Sequence, residues 1–428
     1  MLNPKAKKQA SCADDYDSET ITVETARQKI LEKIHPIDGT EKLTLYQSLN
    51  RILAEDIVSK LNVPGHTNSA MDGYTLSGDQ LPNNETREYR VIGTAYAGRP
   101  FKNENNNDQC QAGECVRIMT GAAMPSNTDT VIMQEHSEKI SDTTVRFTTG
   151  HRKGQNVRQA GEDIAKGNIV LKQGHHLQPA DLGVIASIGI GEISVYRQPR
   201  IAFFSTGDEL RQIGEPLEKG DIYDSNRYSL YGMLSQLNVE IIDLGVVGDK
   251  LEDLREAFAT ASSKADLVIT TGGVSVGEAD FVKNIIEEMG KIHIWKIAMK
   301  PGRPITFGEL DEAVFFGLPG NPVAVMTTFY HFVLPAIQKL SGEGARSPLT
   351  FEVKCNSALK KRPGRFECLR GILSRNESGQ LTVSVTGKQG SGILTSMSRA
   401  NCLILLDEDC DGVKIGDNVT VQPFNTYL

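Results

Sequence analysis

Residues 265–290 read ADLVITTGGVSVGEADFVKNIIEEMG. The stretch ADLVITTGG is a short apolar run of strand length, rich in β-branched residues. Glycines at 272, 273 and 277 break it into a turn, and EADFVKNIIEEMG then reads as a helix stopped by Gly290. A strand this continuously apolar is buried on both faces, which is the mark of a parallel sheet covered by helices.

The pattern repeats on both sides. Upstream, PRIAFFSTGDEL (199–210) is an apolar run ending in a polar turn, and NRYSLYGMLSQL (226–237) is a helix. VEIIDLGVVGD (239–249) is a strand and KLEDLREAFATASSK (250–264) a helix. Downstream, KIHIWKIAMKPG (291–302) and AVFFGLPGN (313–321) read as strands, and PVAVMTTFYHFVLPAIQKLSG (322–342) as a helix. Strand and helix alternating in this way predict a doubly wound α/β domain.

Outside 199–346 the character differs. Near the start, TVETARQKILEKIHPI (22–37) places Ala26, Ile30 and Ile34 at helical spacing, and LTLYQSLNRILAEDIV (43–58) is expected to form a second helix. Short Val-, Ile- and Thr-rich runs separated by Gly, Pro and Asn fill about 60–195, and a helix is expected to begin near Pro179. From 347 onward the runs are again β, spaced as in a small barrel. The expected organisation is α/β and multidomain. A polar tail covers 1–19, a linking domain with helices 20–61 and 166–198, and a β-rich domain 62–165. A three-layer αβα domain follows over 199–346, and a C-terminal β-barrel domain over 347–428.

Composition narrows the function. The 428 residues carry a net charge of −8, whereas a general binder of nucleic acid or anionic membrane is expected to be basic. Any anion site must rest on local charge. The seven cysteines are odd in number and include no C-x-x-C pair, which argues for free thiols in a reducing compartment. The stretch 313–338 has no Asp, Glu, Lys or Arg, but Gly317, Pro319, Gly320 and Pro322 break it into strand, turn and helix too short to span a bilayer. Residues 1–19 lack the apolar core of a signal peptide, so the expected location is the cytoplasm, with no membrane or nucleic-acid partner.

In an open parallel sheet, ligands bind beyond the carboxyl ends of the strands. Four such ends carry informative loops: Ser205-Thr206-Gly207-Asp208-Glu209, the 271–280 loop, Met299-Lys300-Pro301-Gly302-Arg303-Pro304, and Gly317-Leu318-Pro319-Gly320-Asn321-Pro322. Glycines 272, 273 and 277 would let backbone N–H groups approach a phosphate at a helix start. The spacing matches neither the dinucleotide nor the P-loop fingerprint. Carboxylates beside a phosphate cradle need a bridging cation, for which Mg²⁺ is the usual choice. Asp208, Glu209, Asp249 and Asp280 all follow strands and could hold it, although each alone reads equally well as a helix cap. Lys296 and Lys300, four apart on one expected strand, would share a face, and with Arg303 they suggest an anion pocket. The turns 62–74 and 161–164 carry carboxylates whose role composition does not reveal. No His/Cys set has zinc spacing and no hydrolase triad is present.

Seven segments, in this order, resemble the MoeA family, the molybdopterin molybdenumtransferases to which the E domain of gephyrin is related. They are NVPGHTNSAMDGYTL (62–76), VRIMTGAAMPSNTDTVIMQE (116–135), GEDI (161–164), FSTGDEL (204–210), TTGGVSVGEADFVK (270–283), WKIAMKPGRP (295–304) and LPGNPVAVM (318–326). The resemblance implies an enzyme of molybdenum cofactor biosynthesis. It would take adenylylated molybdopterin and molybdate, use Mg²⁺, release AMP and leave molybdenum on the dithiolene.

By the same resemblance, Gly272, Gly273 and Ser275 line the phosphate and pterin site, with Ser205, Thr206, Gly207, Gly277, Arg303 and Asn321 around them. Glu209, Asp249 and Asp280 serve metal binding and pyrophosphate cleavage. Lys296, Lys300, Pro319 and Pro322 belong to active-site motifs, and Arg365 and Ser391 to an oxyanion-binding pair. Asp72 and Asp163 match acidic positions brought by a second subunit, which implies a homodimer with a composite site. The 103–108 loop and the tail resemble local elaborations. With one sheet domain of this type, the substrate would come from a separate molybdopterin adenylyltransferase met transiently.

Two other readings compete. A catalytically inactive scaffold of the gephyrin E-domain type would not need so many converging charges. A pterin-binding adenylyltransferase would not need the additional β-domains.

Overall fold

A computed structural model of the chain describes residues 20–103, 105–272, 281–343 and 347–424. They fall into two compact units. One comprises Lys42–Leu49 and Leu53–Ser194; the other comprises the described residues up to Glu41, Asn50–Ile52, and those from Val195 onward.

The first unit is built on a six-stranded sheet of β1 (Gly73–Leu76), β2 (Arg87–Ala95), β3 (Glu114–Ile118), β4 (Thr130–Met133), β5 (Ser137–Lys139) and β6 (Thr144–Phe147). Their spatial order is β4-β1-β3-β2-β6-β5. Strand alternation sends neighbouring residues to opposite faces. Cys115 and Ile132 enter one core with Tyr74, Tyr89 and Phe147, while Val116 and Val131 enter another with Phe101 and Ile118. At Gly73 the chains come so close that a Cβ would lie 2.0 Å from the Ile132 carbonyl oxygen, so only glycine fits the turn after Asp72. The expected helix at 179 is present as Pro179–Ser187.

The helix expected over 43–58 does not form. The chain makes a strand at Thr40–Thr44, one 3₁₀ turn at Leu45–Gln47, a turn at 49–50 and a bend at 54–55, and then the short strand Ile57–Val58. The Ser48 hydroxyl binds the Leu45 carbonyl (2.8 Å), and Asn50 adopts φ 64°, outside the right-handed helical region.

The second unit opens with the expected helix, Val23–Lys33, which buries Ala26 and Ile30. Next come β7 (Arg200–Thr206), β8 (Glu240–Val247), β9 (Leu267–Thr271), β10 (Gly290–Lys296), β11 (Met299–Lys300), β12 (Pro304–Leu310) and β13 (Ala313–Leu318). The sheet order is β8-β7-β9-β13-β12-β10. The consecutive residues Phe203 and Phe204 enter different cores. Phe203 packs with Leu230, Leu234 and Val325, and Phe204 with Leu254, Phe258 and Ile285. Both faces are therefore covered by helices, and the three-layer architecture follows from that double burial.

Two details depart from the sequence reading. The strands β8, β7, β9 and β13 are parallel, but β12 runs antiparallel to both β13 and β10. The segment 291–302 is also not one strand. The chain leaves the sheet at Lys296, and the Ala298 N–H turns to the Ile21 carbonyl (2.8 Å). Met299–Lys300 then pairs with a strand of the C-terminal region, so Lys296 and Lys300 do not share a strand face. In 322–342, an α-helix Pro322–Thr328 passes through a π turn, Phe329–Val333, into Leu334–Leu340. The wider turn accommodates Pro335, which has no N–H to donate.

The C-terminal region is a closed five-stranded barrel of β14 (Phe351–Cys355), β15 (Phe366–Arg375), β16 (Leu381–Val385), β17 (Cys402–Leu406) and β18 (Asn418–Pro423). The ring runs β15-β16-β14-β18-β17 and closes on β15, around Val353, Cys355, Val383, Cys402 and Ile404. The short β11 adds in parallel to β15. The six described cysteines are free. No helix among the described residues is long and apolar enough to cross a membrane.

Candidate functional site

The carboxyl ends of β7, β9 and β13 meet. The Gly272 N–H donates to the Leu318 carbonyl (3.2 Å), and a Cβ on Gly272 (φ 87°) would lie 2.3 Å from the Thr206 carbonyl oxygen. A Cβ on Gly320 would approach the Gly272 Cα to 3.9 Å. Glycine is thus required at 272 by both backbone angle and space. Beneath it, the buried Thr271 hydroxyl donates to the Ser205 hydroxyl (3.0 Å). The hydroxyls of Thr206 and Thr270 are buried with no partner among the described residues. An unsatisfied buried hydroxyl costs about 1–3 kcal/mol, so the strand ends are polar beyond what the fold itself uses.

Carboxylates gather beside this edge. The Asp249 N–H donates to Asp208 Oδ1 (3.1 Å), and the Asp208 N–H returns a long bond to Asp249 Oδ2 (3.4 Å). Glu209 folds over Gly207, where a Cβ would fall 2.6 Å from its Oε2. Burial raises the Asp249 carboxyl above its ordinary value, and the charges of Asp208 and Glu209 push the same way. Such mutual repulsion is relieved by a cation. Among the described residues no set of three or more His, Cys, Asp or Glu forms a ready metal cage. Mg²⁺ asks for less, one or two carboxylates with waters and substrate phosphates, and the Asp208–Glu209–Asp249 group fits that demand. Gly273, Ser275, Gly277 and Asp280 lie outside the described residues.

The chain beyond β13 forms a second cluster. Gly320 O accepts from Asn226 Nδ2 (2.7 Å), and Pro322 begins the next helix after Pro319 and Asn321. The Val323 N–H donates to the Ser391 carbonyl (3.1 Å), and a Cβ on Gly392 would lie 3.7 Å from Asn321 Oδ1. The barrel loop with Ser391 is thereby seated on the turn that follows Gly320. Lys300 Nζ reaches the buried Glu367 carboxylate (3.2 Å), and the Phe366 N–H donates to the Ala298 carbonyl (3.0 Å). These contacts bring the Arg365 turn beside β11. The buried Lys361 holds that turn by donating to the carbonyls of Arg362 (3.4 Å), Glu408 (3.2 Å) and Cys410 (3.0 Å). A Cβ on Gly302 would touch Thr328 Cγ2 at 2.5 Å, so the loop before Arg303 packs on the same helix. Lys296 ends β10, opposite Pro304.

Asp72 and Asp163 belong to the other unit. The Val63 carbonyl accepts from the N–H groups of both Asp163 and Ile164 (3.1 Å each), which holds the 62–64 and 161–164 turns together. Asp72 Oδ1 accepts from the Thr120 N–H (2.7 Å) and the Thr120 hydroxyl (2.8 Å). These bonds, the backbone one foremost, hold the Asp72 carboxyl below its ordinary 3.8. A depressed carboxylate stabilises the fold above its unfolded pKa and loses that contribution as pH falls through the folded value. Thr120→Val, which keeps the N–H bond and removes the hydroxyl, is expected to raise the Asp72 pKa. Carbon NMR titration of the side-chain carboxyl measures this, and an unmoved titration would show that the hydroxyl does not matter. Thr120 and Glu367 are the partners that residue spacing does not reveal, although Thr120 lies inside the 116–135 segment.

Three family models match the chain. The MoeA N-terminal region (domain I and II) matches 21–189, a probable molybdopterin binding domain 202–339, and the MoeA C-terminal region (domain IV) 352–424. The molybdopterin molybdenumtransferase of Haemophilus influenzae is 45% identical over 409 residues, covering 95% of this chain and 100% of that protein. The Dictyostelium discoideum gephyrin is 34% identical over 435 residues, covering 90% of this chain and 60% of gephyrin. The crystal structure of a molybdopterin biosynthesis moeA protein from Pyrococcus horikoshii superposes with a TM-score of 0.81 at 28% identity, covering 95% of this chain and 100% of that one.

Proposed function

The chain belongs to the MoeA family, and on that premise we propose that it transfers molybdenum at the strand-end site just described. It is an enzyme of molybdenum cofactor biosynthesis, a molybdopterin molybdenumtransferase. In this reading the substrates are adenylylated molybdopterin and molybdate, and AMP is released. The observation that carries it is the meeting of Gly272, the Thr206 hydroxyl, without a partner among the described residues, and the Asp208–Glu209–Asp249 carboxylates. A close backbone approach and a spare hydroxyl suit a phosphate, while the acids suit its counter-ion.

Each group then has a role. Gly272 and Gly273, with Ser205, Thr206, Gly207, Ser275 and Gly277, cradle the phosphate and pterin. Glu209, Asp249 and Asp280 would hold Mg²⁺, with Asp208 keeping Asp249 in place. When bound, the ion supplies neutralisation of the pyrophosphate charge. Lys296, Lys300, Arg303, Arg365 and Ser391 gather the molybdate oxyanion, and Pro319, Asn321 and Pro322 shape the turn on which Ser391 rests. A cationic group gains most where charge develops in a site poor in water.

Asp72 and Asp163 are assigned to the site of a second subunit, which makes the homodimer the working form. Support comes from Ile222, Tyr223, Tyr228 and Tyr231, apolar side chains left exposed on neighbouring elements of the α/β unit. A separate adenylyltransferase would deliver the substrate, in the cytoplasm.

The test is direct. Purified protein given adenylylated molybdopterin, Mg²⁺ and molybdate is expected to release AMP, measured by chromatography. Intact substrate after prolonged incubation would defeat this reading and favour a catalytically inactive molybdopterin-binding scaffold.

A further inference from the structure

Arg370 sits within β15 and is 0% exposed, although an arginine keeps its charge at any accessible pH. No carboxylate meets its guanidinium among the described residues. Nε donates to the Ser396 hydroxyl (3.0 Å), and the two terminal nitrogens donate to the carbonyls of Gly390 (3.2 Å) and, at long range, Cys368 (3.5 Å). A buried charge without a counter-ion is costly, and neutral groups of the same shape would serve packing better.

The backbone of Arg370 grips the same loop. Its N–H donates to Gln389 Oε1 (2.8 Å), and its carbonyl accepts from Gln389 Nε2 (3.2 Å) and from the Thr386 N–H (3.0 Å). Residues 386–393 have no strand ladder of their own, lying between β16 and the helix Leu394–Arg399. Arg370 therefore fastens the first half of this loop, through Thr386, Gln389 and Gly390, and the helix that follows it, through Ser396. The Gly390 carbonyl that it holds belongs to the peptide bond leading into Ser391. On the other side, the Ser391 carbonyl is held by the Val323 N–H.

We propose that Arg370 is a positioning residue for the reaction: it fixes the peptide between Gly390 and Ser391 and so sets where Ser391 meets the molybdate oxyanion. The inference rests on the reading of Ser391 as an oxyanion contact. The planar fork is what the task needs, because one lysine head cannot span both Gly390 O and Ser396 Oγ with the same geometry.

The experiment compares Arg370→Lys, Ser391→Ala, the double variant and Gln389→Leu. It uses molybdate-dependent AMP release, calorimetric titration with molybdate, and Tm. Arg370→Lys keeps the charge, yet it is expected to raise the KM and Kd for molybdate by on the order of tenfold to a hundredfold, the scale that a misplacement of about 1 Å can cost. The KM for adenylylated molybdopterin is expected to stay within about twofold. Combined with Ser391→Ala, it adds nothing further, because both changes act on one contact. A folded Arg370→Lys with unchanged molybdate binding overturns the proposal, as do effects that add in full. If Ser391→Ala alone leaves molybdate binding unchanged, the Ser391 reading falls and this one with it. If Arg370→Lys does not fold, Gln389→Leu decides, because it loosens the loop without disturbing the buried charge. A molybdate Kd unmoved in Gln389→Leu then refutes the positioning role.

Discussion

Mixed dimers of Asp72→Asn and Asp249→Asn subunits are expected to release AMP at about half the wild-type rate, although each variant alone is nearly inactive. In the proposed two-fold dimer, each site would take the acids of the α/β unit from one chain and the Asp72 turn from the other. Pairing the two variants leaves one site with both substitutions and the second with neither. A site built within one chain gives no intact copy and no recovery. The variants are differently tagged, the heterodimer is isolated through both tags, and its AMP release is compared with that of each homodimer. Absence of recovery in a verified heterodimer would refute the composite arrangement. Neither variant is expected to unfold the protein. Asp72 is held at a half-buried turn by Thr120, and asparagine at 72 retains an oxygen for the same two donors.

Much of the framework behind that prediction is legible in the amino-acid sequence alone. Where both faces of a strand are buried, as at Phe203 and Phe204, consecutive residues are apolar and the signal is unbroken until the polar strand end. The β12 strand is not legible in this way, because Pro304, Gly308 and Glu309 break the apolar run and pairing with β10 and β13 alone defines it. The 43–58 segment has helical spacing but meets a left-handed Asn50, a conformation set by its surroundings rather than its neighbours in sequence. Counting along one strand puts Lys296 and Lys300 on a common face, but that strand ends at Lys296.

The site shows the same division. The described glycines and acids stand in the loops where they are expected, since strand ends follow from strand positions. Their partners stay hidden because they are distant in sequence: Thr120 lies 48 residues from Asp72, and Glu367 lies 67 from Lys300. Spacing rules reach only a few residues along one element, whereas these pairs exist only once two elements are packed. Asp208 is the instructive intermediate. Its place after a strand marks it as a possible cation ligand, and the fold makes it the reciprocal partner of Asp249.

That partnership gives the last expected result. Asp249→Asn is expected to cut AMP release by on the order of 10²-fold or more, the scale of losing one preorganised electrostatic group. It is also expected to raise the Mg²⁺ concentration needed for half activity. Stability should move the other way. Burial raises the Asp249 carboxyl, and Asp208 and Glu209 add to the shift, so at neutral pH the ionised group opposes folding. For a raised carboxyl the sign is fixed: the penalty is present above the folded pKa and is relieved as pH falls through it toward the unfolded 3.8. Asparagine removes the charge while leaving its N–H bond to Asp208 available. The Tm of the variant at pH 7 should therefore equal or exceed that of wild type, and the difference should shrink in acid. An acid held against its own stability in this way marks a position kept for a ligand. A variant that loses activity and melts lower by the same cause would instead make Asp249 part of the scaffold. Differential scanning calorimetry from pH 4 to pH 8, run beside the Mg²⁺ titration, separates the two.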